Sequence, residues 1–185
     1  MSEEQFNLAM ERIRNKDKSA LKEIYEVYIS FIYHTILNIV KQKEAAEDIT
    51  SEFFIKLWER ADSYKSGNAH KGYLATIARN MAIDYLRKYG KEVYIENDDD
   101  GDDSPADGIA QIADTTASPE NQVIENLSVE QALSKLKPVY RQILTMKILS
   151  EMTFKEISDV LNIPIGTVTW DYQDALKQLR RFGYE

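Results

Sequence analysis

The sequence contains no cysteine, which excludes disulfide bonds, thiolate catalysis and zinc sites built on cysteine. It has only two histidines, so we expect no metal site. The sequence also lacks a phosphate-cradling glycine loop, and we expect no bound cofactor. No apolar run approaches the roughly 18–20 residues that span a bilayer. The first ten residues, MSEEQFNLAM, are acidic where a signal peptide would be basic. These absences predict a cytoplasmic protein.

The net charge of −8 argues at first against a nucleic-acid partner, but the charges are unevenly distributed. Residues 92–120 contain ten acidic and no basic side chains, and the rest of the chain has a net charge of +2. Residues 66–91 contain five basic side chains against one acidic side chain, Asp84. A segment suited to phosphate contacts therefore lies directly before an acidic one.

Apolar residues at three- and four-residue spacing predict helices through most of residues 3–90. After a short first helix, a second helix is predicted to begin with Ser19 as its N-cap. A third is predicted over residues 44–61. A fourth runs over residues 71–89, with Gly90 at the position just after its end.

The acidic stretch 92–120 has little periodicity, which is typical of an extended, flexible linker. Periodic helical patterns return after it. The predicted helices are Asn121–Leu136, Pro138–Leu149, Thr153–Leu161 and Gly166–Arg181. The fold class is therefore all-α, with two small helical domains, residues 1–91 and residues 121–185, joined by the acidic linker.

The last two predicted helices have the pattern of a helix-turn-helix. Thr153 and Glu156 have the spacing of a capping box, and residues 162–164 supply the turn. The predicted buried stripe of the second helix is Val168, Tyr172, Ala175, Leu176 and Leu179. The predicted outward residues are Thr169, Trp170, Asp171, Gln173, Asp174 and Lys177. The alternative is a plain helical hairpin within a bundle.

Two acids on the predicted outward face, Asp171 and Asp174, are unusual for a helix that enters a DNA groove. Phosphate contacts supply much of protein–DNA affinity, and carboxylates repel phosphates. An exposed Trp170 beside Asp171 favours a protein-contacting patch. Standard recognition and weak or unusual DNA binding both stay open.

Three segments in order resemble one known family. The segment AAEDITSEFFIKLWERADSY, the segment HKGYLATIARNMAIDYLRK and the helix-turn-helix segment beginning LKPVYRQILTMKIL follow one another along the chain. The most specific runs are Ile77-Ala78-Arg79-Asn80 and Asp84-Tyr85-Leu86-Arg87. In this order they resemble the polymerase-docking helices, the promoter-melting helix and the C-terminal domain of the extracytoplasmic-function sigma factors of bacterial RNA polymerase.

The resemblance implies a sigma factor that binds core RNA polymerase through the β′ clamp and the β flap, reads promoter DNA, and catalyses nothing itself. Residues 1–91 would be region 2, and residues 121–185 region 4. An anti-sigma factor is implied as a controlling partner. One alternative is a sigma-like regulator that binds polymerase or an anti-sigma factor without reading an upstream element. Another is a stand-alone helix-turn-helix repressor.

The resemblance also assigns residues to each task. Those expected to dock on the polymerase clamp are Asp48, Glu52, Phe53 and Lys56. Those expected to recognise and melt the −10 element are Tyr64, Asn68, His70, Lys71, Tyr73, Arg79, Asn80, Arg87, Lys88 and Lys91. Those expected to contact DNA from the helix-turn-helix are Lys155, Thr167, Thr169, Trp170, Gln173, Lys177, Arg180 and Arg181.

Each group also has a purely structural interpretation. The polar side chains of the third helix could form a solvated face, and the basic end of the fourth helix could complement the helix dipole. The acidic linker could imitate RNA in the polymerase channel or act as a plain tether.

Overall fold

The computed structural model describes residues 1–67, 69–93, 133 and 135–181. These ranges contain seven α-helices and a short 3-10 turn, Ala61–Ser63. The helices are α1 (Glu3–Arg14), α2 (Lys18–Val40), α3 (Lys43–Glu59), α4 (His70–Val93), α5 (Pro138–Leu149), α6 (Phe154–Leu161) and α7 (Ile165–Arg181). The all-α prediction is confirmed. The predicted linker from residue 94 onward and most of the predicted helix 121–136 lie outside the described residues.

The ends of two helices differ from the prediction. Asp17, not Ser19, is the N-cap of α2, since its carboxylate accepts the backbone N–H of Ser19 at 2.9 Å. Helix α4 continues through Gly90 to Val93, so Gly90 does not end it. The predicted capping box of α6 is present, with Thr153 and Glu156 bonded reciprocally.

Helix α2 lies at the centre of the first domain because it is apolar on several sides. It contacts α1, α3 and α4. The interior between these helices is filled by large apolar side chains, among them Phe6, Phe31, Phe53 and Leu74, all almost completely buried. Within the described ranges, no helix is both long enough and apolar enough to cross a membrane.

The C-terminal helices continue this core. Ile143 and Met146 of α5 are buried in the same apolar cluster as the first domain. The Nδ2 of Asn38 on α2 donates a hydrogen bond to the Oγ1 of Thr145 on α5 at 2.8 Å. Helix α6 lies against α4. The two domains are therefore in contact through two pairs of helices.

Candidate nucleic-acid interface

The start of α4 is fixed by a buried polar network. The Oε2 of Glu3 accepts the backbone N–H groups of Ala69 at 3.3 Å and His70 at 3.1 Å, and it also bonds the His70 Nδ1. The His70 Nε2 lies 2.6 Å from the Tyr28 hydroxyl. The imidazole stacks on Phe6 with ring centroids 4.7 Å apart. This carboxylate therefore caps α4 and also holds Ala69, whose φ of 99° is in the left-handed region.

Burial and the same contacts shift the pKa values of two side chains in this network, Glu3 and Tyr28. Burial tends to raise the pKa of Glu3, but hydrogen bonds from the side chain and backbone of His70 outweigh burial and lower that pKa below its ordinary value. Burial, followed by the nearby Glu3 charge, raises the pKa of Tyr28 to about 12. The network is therefore built around a charged carboxylate and a neutral phenol.

Two residues assigned to recognition and melting of the −10 element lie in the interior instead. His70 is only 4% exposed, because both ring nitrogens are bonded within the core. Tyr64 is also buried, and its hydroxyl donates to the Oδ1 of Asn7 at 2.7 Å. The structure thus corrects the expectation that these two side chains face DNA. Asn68 of the same loop lies outside the described residues.

Beside them, Lys71 and Tyr73 are half-buried at the beginning of α4. The Tyr73 ring lies against the Tyr64 ring, with centroids 5.0 Å apart. Burial raises the pKa of Tyr73, although the Arg60 charge works against this shift. Tyr73 is therefore a neutral aromatic side chain at the edge of the core.

The basic end of α4 lies largely in solvent. Asn80, Arg87 and Lys88 are exposed, and Arg79 is half-buried. An exposed ion pair joins Arg87 to Asp84 at 3.3 Å. The Lys88 ammonium lies 4.9 Å from the centre of its neighbour's ring, Tyr89, and a hydrogen bond with Tyr89 raises the pKa of Lys88. Such exposed pairs hold these cations only weakly, so they are available to phosphates. The helix includes position 91, but the Lys91 side chain lies outside the described part of the chain.

Helix α3 presents a polar face away from the core. Asp48 and Glu52 are exposed, and Glu52 pairs with Lys56 at 2.8 Å. Phe53 is fully buried, which corrects its assignment to the docking surface. Sequence reasoning missed Ile55, which is 57% exposed within this face. The signal was available, because Ile55 follows Asp48 and Glu52 at helical spacing.

The helix-turn-helix is shaped by local hydrogen bonds. Asn162 ends α6 in the left-handed conformation, with φ of 56°, and the Ser158 hydroxyl donates to the carbonyl oxygen of Ile163 at 2.6 Å. The Lys155 ammonium pairs with Asp159 at 3.2 Å, one turn further along α6. The contacts of Ser158 and Asn162 thus lie where the chain turns from α6 toward α7, whereas the Lys155–Asp159 pair lies on the solvent side of α6.

The acids of α7 point inward, contrary to the prediction. Asp171 is only 7% exposed and lies in line with the buried Val168 and Ala175. Asp174 is half-buried, and its Oδ2 accepts the Tyr140 hydroxyl of α5 at 3.0 Å and the Gln178 amide at 2.8 Å. Neither carboxylate is therefore free to repel phosphates from the outward face.

Burial raises the pKa of both Asp171 and Tyr140. It raises the pKa of Asp171, against the attraction of the Lys137 charge and with added repulsion from Asp174. Burial, together with the hydrogen bond to Asp174, raises the pKa of Tyr140 to about 12. Asp174 therefore helps to join α7 to α5, whereas Asp171 is a carboxylate buried at some cost.

Because both acids point inward, the outward face of α7 is uncharged in its first half and basic in its second half. Its exposed or half-buried residues are Ile165, Thr167, Thr169, Trp170, Gln173, Lys177, Arg180 and Arg181. The first half of this face is uncharged and includes Trp170, which is 62% exposed. The cations follow in the second half. This face can offer hydroxyl, amide and aromatic groups to base edges and cations to phosphates.

Comparison with known proteins agrees with this two-domain layout. Residues 24–92 match the family model of Sigma-70 region 2, and residues 126–179 match that of Sigma-70, region 4. The chain is 34% identical over 143 residues to the ECF RNA polymerase sigma factor SigM of Bacillus subtilis, covering 77% of this chain and 82% of SigM. It is 27% identical to SigW of the same organism over 178 residues, covering 93% of both chains.

Two solved structures share the fold. The first is the sigma factor RpoE in complex with the anti-sigma factor NepR from Bartonella quintana, with a TM-score of 0.63 and 20% identity. That match covers 86% of this chain and 94% of the other. The second is CnrH in complex with the cytosolic domain of CnrY, with a TM-score of 0.61, 13% identity and 96% of both chains covered.

Proposed function

Because this chain belongs to the extracytoplasmic-function sigma factors of RNA polymerase, we propose that its exposed side chains divide among clamp docking, promoter melting and upstream-element recognition. The protein binds core RNA polymerase and promoter DNA and directs promoter-specific initiation of transcription. Like other sigma factors, it is an initiation factor and not an enzyme.

Promoter melting is assigned to the exposed end of α4. The observation that carries this assignment is the exposure of three side chains of one helix: Asn80 and, two turns later, the adjacent Arg87 and Lys88. A single strand taken out of the duplex needs cations for its phosphates and an aromatic or amide group for its bases. Asn80 supplies the amide, and Tyr73 supplies an aromatic ring at the beginning of the same helix.

Recognition of the upstream element is assigned to the outward face of α7. The inward position of Asp171 and the pairing of Asp174 remove the main argument for a sigma-like regulator that does not read DNA. Thr169 and Gln173 can bond base edges from the groove. Lys177 is exposed one turn beyond Gln173, where a cation can anchor the helix to the backbone.

Docking on the polymerase clamp is assigned to the polar face of α3. Asp48 and Glu52 supply charge, with Lys56 paired to Glu52. We add Ile55, since an apolar side chain surrounded by polar groups has the pattern of an interface anchor with a polar rim.

Two further proposals concern the regulatory partner of the protein and its location in the cell. An anti-sigma factor is a partner of this protein in our proposal, with support from the two similar structures, which are both complexes of this kind. We also assign the protein to the cytoplasm, where a polymerase subunit meets the chromosome.

The experiment for the melting assignment is transcription with the double variant Arg87→Ala/Lys88→Ala. Loss of two phosphate contacts should lower promoter opening by roughly tenfold or more at moderate salt. Opening is measured by permanganate reactivity of unpaired thymines, and polymerase binding by gel filtration with core enzyme. Binding should be retained.

The matched control is Lys22→Ala, which removes an exposed, ion-paired lysine from α2, away from the proposed track. It should leave opening unchanged. If the double variant opens promoters as well as the control does, the assignment of α4 to the melted strand is wrong.

A further inference from the structure

The loop between the 3-10 turn and α4 is held near both ends by side chains of α1. At its beginning, the Arg14 guanidinium donates to the carbonyl oxygen of Ala61 at 3.0 Å and to that of Tyr64. At its end, the Glu3 carboxylate accepts the backbone N–H of Ala69 at 3.3 Å. Helix α1 therefore fixes the path of this loop, although the two are distant in sequence.

Within this loop, Tyr64 also bonds α1 through its side chain. Its hydroxyl donates to the Oδ1 of Asn7 at 2.7 Å, and its ring lies edge-on to the Phe6 ring, with centroids 5.5 Å apart. Burial, followed by the Glu3 charge, raises the pKa of Tyr64 to about 12, so the phenol keeps its proton and stays a donor. One hydrogen bond and one aromatic contact thus orient the Tyr64 ring.

Tyr73 is connected to α1 by two routes. The Tyr64 ring contacts the Tyr73 ring, with centroids 5.0 Å apart and an angle of 57° between the planes. The backbone N–H of Tyr73 donates to the carbonyl oxygen of Ala69 at 3.1 Å, and Ala69 is itself bonded to Glu3. Helix α1 therefore supports both the ring and the backbone of Tyr73.

From these contacts we propose that Asn7 is a positioning residue for promoter melting, which acts through Tyr64 to orient the Tyr73 ring for stacking on an unpaired base. The inference rests on the proposed role of Tyr73 in holding the melted strand. A base stacks on the face of an aromatic side chain, so a ring that turns away from the base loses this contact. None of the residues assigned above to the −10 element lies on α1, so this role adds a helix to the melting machinery.

The test is Tyr64→Phe, which removes only the hydroxyl bonded to Asn7 and keeps the ring. Promoter opening is measured by permanganate reactivity of unpaired thymines and divided by the amount of protein bound to core polymerase. We expect this ratio to fall about three- to fivefold. Asn7→Ala should lower it by a similar factor, because it removes the acceptor of the same hydrogen bond. A purely structural role would leave the ratio unchanged, because unfolded protein is lost from both measurements.

Thr35→Val is the matched control. It also removes one buried hydroxyl, which donates to the carbonyl oxygen of Phe31 at 2.7 Å within α2. The control should leave the ratio unchanged. An equal fall in Thr35→Val and Tyr64→Phe would overturn the inference, because the loss of any buried hydrogen bond would then suffice.

Tyr73→Ala shows whether Asn7 acts through the Tyr73 ring. This change removes the proposed stacking surface and should lower the ratio by about tenfold or more. Asn7→Ala, added to Tyr73→Ala, should have no further effect, because the ring that it positions is already absent. A further fall in this double variant would mean that Asn7 acts elsewhere, and the inference would be wrong.

The proposed function and the inference fail in different ways. If Tyr73→Ala opens promoters as well as the natural protein does, Tyr73 does not hold the melted strand, and the inference fails with that assignment. If Tyr73→Ala lowers the ratio but Tyr64→Phe does not, the inference alone is wrong, and the role of Tyr73 stands.

Discussion

The start of α4 and the middle of α7 each contain a carboxylate removed from solvent, Glu3 and Asp171, and the pKa values of the two groups are shifted in opposite directions. Glu3 accepts hydrogen bonds from the backbone of Ala69 and from the backbone and ring of His70. Its pKa is lowered. Asp171 lies on the buried side of α7, where burial raises its pKa.

The difference shows that the hydrogen-bond donors around a carboxylate, and not its burial alone, decide whether it stabilises a helix. When the protein folds, the Glu3 carboxylate exchanges hydrogen bonds with water for hydrogen bonds from backbone N–H groups at the start of α4. Such N–H groups have no acceptor within the helix. Asp171 loses its contact with water on burial, and the attraction of the Lys137 charge compensates only in part. Asp174 lies between these cases, since Tyr140 and Gln178 both donate to it.

The largest effect on stability is expected from Glu3→Ala. This change leaves the backbone N–H groups of Ala69 and His70 and the His70 ring without their acceptor, which should lower the free energy of unfolding by about 1–3 kcal/mol. Urea unfolding at neutral pH measures the loss. Glu4→Ala, at an exposed position in the same turn, is the matched control and should change stability little.

The same pair of variants tests the sign of the Glu3 contribution. Since the folded pKa lies below the ordinary value of 4.5, the carboxylate stabilises the protein above that value, and this stability is lost as the pH falls through the folded pKa. The difference between the natural protein and Glu3→Ala should therefore shrink on acidification below about 4.5. A difference that grows on acidification would rule out this account.

A smaller loss is expected from Tyr140→Phe, which removes the hydroxyl that donates to Asp174. A buried hydrogen bond of this kind contributes about 1 kcal/mol, and thermal unfolding can detect such a change. Tyr172→Phe on α7 is the control, because its hydroxyl has no hydrogen bond to any of the described residues. Equal effects of the two changes would mean that Asp174 does not join α7 to α5.

The smallest effect, a gain, is expected from Asp171→Asn. Because the folded pKa exceeds the ordinary value of 3.8, the charged carboxylate costs stability at neutral pH, and the natural protein recovers it as the pH falls toward that value. Asparagine should raise the free energy of unfolding at pH 7 by an amount on the order of 0.5 kcal/mol, with the gain vanishing near pH 4. A loss at pH 7 would show that the carboxylate has donors that asparagine cannot replace.

Sequence periodicity predicted the helices well because it is a local property. The capping box of α6 and the extent of α5 are set by residues a few positions apart, and both were predicted. The end of α4 was not, because a glycine is tolerated within a helix at a modest cost. The N-cap of α2 was predicted at Ser19 but lies at Asp17. Both residue types are good N-caps, so the local sequence did not distinguish between them.

Side chains whose partners are distant in sequence escaped prediction. His70 is bonded to Glu3, 67 positions earlier, and no local pattern connects the two. Asp171 follows Val168 by three residues and precedes Ala175 by four, so its position fits the buried stripe. Its charge alone placed it outside in the prediction, since buried acids are rare. The resemblance to a family supplied the function and the two domains, but not which side chains of the loop before α4 are buried.

The charge gradient along the outward face of α7 assigns general DNA affinity and discrimination between bases to different residues. Selection can therefore act on each property separately. In the function proposed above, cations from Lys177 onward would determine how tightly the helix holds any duplex. The uncharged groups before them, such as Thr169 and Gln173, would discriminate between bases. Substitutions in the first half of the helix can therefore change which promoters belong to the regulon while general DNA affinity stays constant. After duplication of the gene, or in deliberate engineering, promoter preference can therefore change step by step while each intermediate protein stays active.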